Sequence, residues 1–224
     1  GYPWFRDKKI KAINGFPWSQ SIKLRKTFIR DEIKLPDAEE YVMLRYNNTI
    51  INTSKIKNIS SYESRTREMT KLNLDWFMQT LLDRKDRMSM YNGLEVRVPF
   101  CDYRIAEYLY SVPWEYKEYN SYEKGLLRNA MTGILPSEVL WRKKSPYPKT
   151  HNPVYMKIVS EKLSDIIEND SSPVLSFIKK EELQKLLKTV SNEPWYGQLM
   201  TTPQTIAYFI QINYWLEKYK ITIK

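Results

Sequence analysis

Apolar residues recur at spacings of three and four along most of the chain, and strict alternation is confined to one short run. From Ser64 to Tyr91, Leu74, Phe77, Met78, Leu81 and Met88 follow the rhythm of a helix with one buried stripe. Asn92-Gly93 is a stop signal at its end. Asp83 and Arg87 lie i,i+4 with the acid first, the favourable order for an ion pair on a helix. The alternating run is Leu94 to Val98, where Leu94, Val96 and Val98 face one way and Glu95 and Arg97 the other. That spacing predicts extended backbone closed by Pro99.

Capping residues and prolines divide the rest. Pro17-Trp18-Ser19-Gln20 predicts a helix start, and the helix ends before Leu35-Pro36 because a residue preceding proline is pushed out of the helical region. Asp37 is a cap for a second helix, with Glu39 and Glu40 in its first turn and Val42, Tyr46 and Ile50 on one face. Lys55 to Ser61 reads as loop. Asp102 caps a helix whose apolar face is Ile105, Tyr108, Leu109 and Val112, ended by Pro113. Ser121 opens another, with Leu127, Ala130, Met131 and Ile134 inward. A short helix runs from Pro136-Ser137 through Trp141. Arg142 to Pro153 is a basic, proline-rich loop and the best candidate for a mobile segment. Helices follow over about 153–167, 180–190 and 202–219. The last is apolar nearly all round (Ile206, Tyr208, Phe209, Ile210, Ile212, Trp215, Leu216), which predicts burial. The chain is expected to be mainly α, without repeats or a clear domain boundary.

Composition narrows the chemistry. A chain of 224 residues can bury roughly 70% of its unfolded surface. Its formal net charge is +10, which favours an anionic ligand such as a nucleotide, pyrophosphate or nucleic acid, or is simply a basic surface. No apolar run approaches the roughly 18 residues of a membrane span. Cys101 is the one cysteine and His151 the one histidine. Cys101 lies in an apolar run and reads as a small buried hydrophobe. Without a disulfide the expected compartment is reducing and cytoplasmic. Histidine-based metal sites and triads have almost no raw material.

The positioned charge is concentrated between Leu81 and Leu135. With Ser121 as N-cap, Lys124 falls at the third helical position, facing the positive end of the helix dipole at a cost of about 0.3–1 kcal/mol. Arg128 one turn on adds like-charge repulsion of about 0.2–0.5 kcal/mol. Both costs vanish if an anion binds, so either this is a phosphate site or Lys124 reaches into water with Glu123 screening it. Glu95 and Arg97 either pair structurally or hold the ammonium and carboxylate of a zwitterionic substrate. Arg142-Lys143-Lys144 is either a phosphate clamp or a solvated charge run. The six glycines form no cluster, so the backbone nest that usually grips nucleotide phosphates is missing.

At these residues the chain resembles a known family. Asp86-Arg87-Met88-Ser89-Met90, followed by Gly93-Leu94-Glu95-Val96-Arg97-Val98-Pro99-Phe100-Cys101-Asp102, strongly resembles the synthetase domain of glutamine-hydrolysing asparagine synthetase, the B type. Tyr122-Glu123-Lys124-Gly125-Leu126-Leu127-Arg128 and Leu135-Pro136 through Trp141-Arg142-Lys143-Lys144 continue the match. Gly1-Tyr2 looks like the end of the family's acidic Gly-Glu-Gly motif. The likeness spans about residues 1–150; residues 151–224 match only as helices. Where some members carry an aspartate, this chain has Leu81, with Asp83 the nearest acid.

The resemblance implies a helical C-terminal portion, over 1–224, of an adenine-nucleotide alpha-hydrolase-like (ATP-pyrophosphatase) α/β domain. It implies ATP and Mg²⁺, aspartate activated as β-aspartyl-AMP with release of pyrophosphate, and ammonia supplied from glutamine by an N-terminal glutaminase domain of the same parent. Lys124 maps to the family's key lysine and is the implied catalytic residue, which steadies charge on the phosphates and the tetrahedral intermediate. Arg84, Glu95, Arg97 and Arg128 are the candidate substrate or phosphate contacts, and no metal ligand is assigned. A sister reading is a carboxylate-adenylating cyclase of the β-lactam synthetase or lasso-peptide type. A basic helical module for nucleic acid or a protein partner is a third, and a homodimer is compatible with all three. The leading reading takes neither nucleic acid nor membrane as partner. The family's Ser-Gly-Gly pyrophosphate loop and its glutaminase nucleophile are absent from these residues, so the isolated chain is expected to form no asparagine from ATP, Mg²⁺, aspartate and ammonia. Asparagine in that assay would overturn this expectation.

Overall fold

The computed structural model describes residues 14–18, 26–143, 153–189 and 201–223. Among these the chain is helical, with one isolated antiparallel bridge between Ile29 and Ile178. It divides into two compact units, one from residues 1–17 and 42–145, the other from 18–41 and 146–224. The later boundary falls in the basic loop marked by the sequence; residues 144–152 lie outside the described ones.

The first unit is built on α1 (Ala38–Ile51) from Val42 onward, α2 (Ser61–Leu72) and α3 (Gln79–Tyr91), with a π-helical turn at Asn73–Met78 joining α2 to α3. Asp37 caps α1 as its spacing predicts: its Oδ1 accepts the Glu39 and Glu40 N–H groups at 2.8 and 3.1 Å. Tyr46, Met69 and Leu72 are buried here beside Thr49, Thr66, Arg67 and Asn73. The buried threonines are satisfied locally: Thr49 and Thr66 donate to the carbonyls of Arg45 and Tyr62. Thr49 Oγ1 also accepts Trp76 Nε1–H at 3.0 Å. Phe16 meets Tyr46 and Trp76 edge-on, with centroids 5.7 and 5.6 Å apart. The buried stripe therefore lies earlier than its apolar rhythm predicts. Leu74, Phe77, Met78 and Leu81 are only half-buried, Met88 is 64% exposed, and α3 buries no residue. The π turn adds a residue to the helical circuit and rotates everything after it, which a single 3.6-residue period does not register.

Downstream come α4 (Tyr103–Ser111), α5 (Trp114–Lys117), α6 (Gly125–Ala130) and α7 (Ser137–Leu140). Asp102 caps α4, accepting Arg104 N–H at 2.9 Å. Its predicted apolar face is not a core face, since Ile105 and Tyr108 are exposed. Leu94 to Val98 joins no ladder among the described residues, and Leu94 and Val96 face solvent. Alternation alone makes no strand without a neighbour to take its backbone hydrogen bonds.

The second unit packs α8 (Pro153–Glu168), α9 (Lys180–Lys188) and α10 (Thr202–Tyr219) around Val159, Leu163, Ile167, Val174, Leu183, Ile206, Phe209 and Leu216. Val159, Leu163 and Ile167 are spaced i,i+4,i+8 and form one stripe. The helix predicted to run up to Leu35 does not cover the described residues 27–35. There Arg30 N–H donates to Phe177 O at 2.9 Å and Lys179 N–H to Phe28 O at 2.7 Å, so the segment runs alongside 177–179. Phe28 reaches the core and its ring lies 5.0 Å from Phe209. α10 starts and stops where the sequence places it but is two-faced: Tyr208, Tyr214 and Trp215 are exposed. Asn213 is buried and fully used, accepting Val174 N–H at 3.2 Å and donating to Glu217 at 2.8 Å.

Leu163→Ala is expected to lower the unfolding free energy by about 2–5 kcal/mol, the loss of a wholly buried leucine plus its cavity. Tyr214→Ala, at a position 59% exposed, should stay within about 0.5 kcal/mol. Urea denaturation followed by circular dichroism checks both; equal losses would refute this core.

Candidate functional site

Lys124 sits in the first unit, on the turn between α5 and α6. Pro113 sets up α5, and two carboxylates hold its first residue. Glu63 Oε2 accepts Trp114 N–H and Glu118 Oε2 accepts Trp114 Nε1–H, each at 2.9 Å. The chain then turns through a 3₁₀ segment, Tyr119–Ser121, in which Asn120 (φ 53°) and Ser121 (φ 60°) are left-handed. Ser121 N–H returns to Glu118 O at 2.8 Å and Gly125 N–H to Tyr122 O at 3.1 Å.

Lys124 itself has φ 57° and ψ 35°. Asparagine tolerates that region; for lysine it is uncommon, and such strain costs of order 1–3 kcal/mol. The helix expected from Ser121 begins only at Gly125, so Lys124 is the N-cap of a six-residue helix rather than its third residue. What is unusual about Lys124 is its backbone more than the dipole it faces. The inward face expected for this segment is also altered: Leu127, Ala130 and Ile134 are exposed. Gly125 is required where it stands. A Cβ there would lie 2.5 Å from Tyr119 N and O. Lys124 is exposed, and its ammonium has no hydrogen-bond or ion-pair partner among the described residues.

Arg128 is used differently. Its Nε donates to Glu123 O at 2.8 Å, Nη1 to Leu140 O, and Nη2 to Arg142 O at 3.2 Å. The guanidinium carbon lies 6.0 Å from the Trp141 ring, which packs 5.0 Å from Tyr122. The guanidinium thus brackets the Lys124 turn to the end of α7.

The other candidates stand apart. Arg97 pairs with Glu95 at 2.8 Å with both side chains mostly in solvent (83% and 67% exposed). Arg87 pairs with Asp83 at 2.8 Å on α3. Exposed pairs of this kind contribute little to stability. Arg84 is exposed and has no partner among the described residues. No hydrogen bond or ion pair among the described residues joins Arg84, Glu95 or Arg97 to Lys124. Lys143 is exposed beyond Arg142, and Lys144 lies outside the described residues.

A cleft of about 550 Å³ lies next to this turn, lined among others by Tyr62, Glu63, Trp114, Glu118 and Ser121. The sequence carried a signal for part of it: in Ser60-Ser61-Tyr62-Glu63, a serine three residues before a glutamate is a capping-box pattern at the head of α2. Ser60 Oγ does accept Glu63 N–H at 3.1 Å, while the Glu63 carboxylate reaches across to Trp114 instead of closing the box. Nearby, burial pushes the Lys117 ammonium below its ordinary range, opposed by Glu63 and reinforced by Arg67. Arg67 is buried, donates to Tyr110 O at 2.9 Å and stacks 4.5 Å from that ring. Among the described residues no three acidic, histidine or cysteine side chains group to hold a metal ion. None of the described helices is long and apolar enough to cross a membrane.

The family described as asparagine synthase matches residues 1–217. Asparagine synthetase [glutamine-hydrolyzing] 3 of Bacillus subtilis is 44% identical over 227 aligned residues, covering 100% of this chain and 37% of that protein. Asparagine synthetase [glutamine-hydrolyzing] 1 of the same organism is 34% identical over 113 residues, half of this chain and 18% of that protein. The Homo sapiens asparagine synthetase [glutamine-hydrolyzing] is 42% identical over 67 residues, 29% of this chain and 12% of its own length. The chain therefore spans little more than a third of the first of these relatives. The likeness also continues beyond residue 150, where the legible motifs stop, through the helices of the second unit. A mainly helical chain matched over nearly its whole length in this way belongs to the asparagine synthase family.

Proposed function

We propose that this chain is part of an ATP-dependent amidoligase that adenylates the side-chain carboxylate of aspartate and passes glutamine-derived ammonia to it, giving asparagine. The observation that carries the reading is Lys124: an exposed ammonium without a partner among the described residues, on a backbone held in a strained conformation by Gly125 and Arg128. Strain of this kind persists only where the surroundings over-determine it, and it concentrates at functional sites. Family membership and the glutamine-hydrolyzing relatives supply the reaction class.

In this reading the Lys124 ammonium faces the polyphosphate of ATP and steadies the negative charge that develops as the aspartate carboxylate attacks the α-phosphorus and pyrophosphate departs. It acts again when ammonia adds to the acyl carbon and the tetrahedral oxyanion forms. One well-placed donor of this kind contributes about 3–4 kcal/mol. Arg84, Glu95 and Arg97 are exposed and serve as the substrate contacts, an acid for the ammonium and an arginine for the carboxylate. Arg128 is not counted among the phosphate contacts, because three of its N–H groups are already engaged by carbonyls. The described residues form no metal cage. In this reading Mg²⁺ would arrive with the nucleotide and would neutralise charge on its phosphates. The glutaminase domain that supplies ammonia belongs to the same parent chain, and the whole acts in the cytoplasm.

Lys124→Ala in the full-length protein is expected to lower aspartate-dependent ATP–pyrophosphate exchange by about 10²–10³-fold, with glutamine hydrolysis largely intact. Exchange near the wild-type rate would remove Lys124 from this role.

A further inference from the structure

We propose that Arg128 is a positioning residue for Lys124: its guanidinium holds the peptide group that enters Lys124 and so sets the direction in which that ammonium is presented. The proposal rests on the reading of Lys124 as the phosphate-facing residue.

The geometry is specific. The Glu123 carbonyl belongs to the peptide bond that enters Lys124, so its orientation is tied to the φ of that residue. Arg128 Nε takes that oxygen at 2.8 Å. The Lys124 carbonyl belongs to the peptide bond that leaves it, and the backbone N–H of Arg128 takes it at 2.9 Å. The second bond is the ordinary i→i−4 bond that opens α6 and that any residue but proline makes; the bond to Glu123 O is the arginine's own, and it fixes the peptide entering a lysine whose φ is 57°. Nothing in a lysine side chain favours that conformation, so contacts from elsewhere in the structure must maintain it. The rest of the guanidinium is anchored on Leu140 O and Arg142 O and lies near the face of Trp141. The turn is thus referenced to α7 and to the basic segment after it rather than left to its own short-range bonds. A planar fork can serve three separate carbonyls in this way; a lysine ammonium is a compact point charge and does not reproduce the fork.

Positioning and direct binding of nucleotide by Arg128 leave different kinetic traces. A group that binds ATP equally in the ground and transition states raises KM when removed, whereas one that aims the reacting ammonium lowers kcat. The test uses aspartate-dependent ATP–pyrophosphate exchange by the full-length protein, in Arg128→Gln, Arg128→Lys, Lys124→Ala and the Arg128→Gln/Lys124→Ala double variant. Circular dichroism and thermal unfolding establish that each is folded. Arg128→Gln is expected to lower kcat by about 10–100-fold, the penalty of a group misplaced by about an ångström, with KM for ATP changed by no more than about twofold. Arg128→Lys, which keeps one donor for Glu123 O, should fall between it and wild type. In the Lys124→Ala background the Arg128→Gln change should cost little more, because there is no ammonium left to aim. A raised KM for ATP at unchanged kcat, or losses that multiply in the double variant, overturns the proposal. Should Arg128→Gln fail to fold, the same KM–kcat split is read from Arg128→Lys, and wild-type kcat there overturns it equally. Full exchange in Lys124→Ala is a separate result: it defeats the reading of Lys124 itself, whatever Arg128 does.

Discussion

A single guanidinium donating to the carbonyls of Glu123, Leu140 and Arg142 is the constraint on which the candidate site depends. Without it, the run from Asn120 to Lys124 would have three left-handed non-glycine residues and only short turn bonds to hold them. Each such residue costs free energy that local interactions do not return. The bracket works because of its surroundings: Gly125 lets the backbone close on Tyr119 where any Cβ would collide. The Trp141 ring lies 6.0 Å from the guanidinium carbon and meets Tyr122 at a tilt, with centroids 5.0 Å apart. The Lys124 ammonium is left to solvent.

The rest of the first unit supports that turn through unusual choices. The α2 helix buries Thr66 and Arg67 alongside Met69 and Leu72; Thr66 Oγ1 donates to Tyr62 O and Arg67 Nη1 to Tyr110 O. Glu63 leaves its own helix start to cap Trp114, which joins the head of α2 to the segment leading into the turn. The second unit is held by different means, an apolar core of three helices with one buried amide, Asn213, linking α10 to Val174. The charged chemistry argued for this protein lies in the first unit.

Features set by neighbours in sequence were legible without the structure. Asp37 and Asp102 cap the helices their spacing marks, and α10 starts and stops at Thr202 and Tyr219 as its pattern predicts. The motif around Lys124 was legible too, since Tyr122 to Arg128 is a contiguous string. Its geometry was not. A capping rule that looks only for serine or aspartate selects Ser121, because it cannot register Gly125 meeting Tyr119 or Arg128 reaching Leu140. In the same way, a helix period drawn through Leu74 to Met88 misses the π turn that rotates α3 away from the core.

Chain-local chemistry thus determined that this protein is helical and that Asp37 and Asp102 cap the helices that follow them. These depend on rotamers, dipoles and spacing within a few residues. Tertiary structure alone decided which faces are buried, that residues 27–35 lie along 177–179 rather than in a helix, and that Arg128 braces the turn that carries Lys124. Those outcomes depend on groups far apart in the chain finding one another's unsatisfied carbonyls and N–H groups, and the pattern of a sequence does not record which distant donor will meet which acceptor.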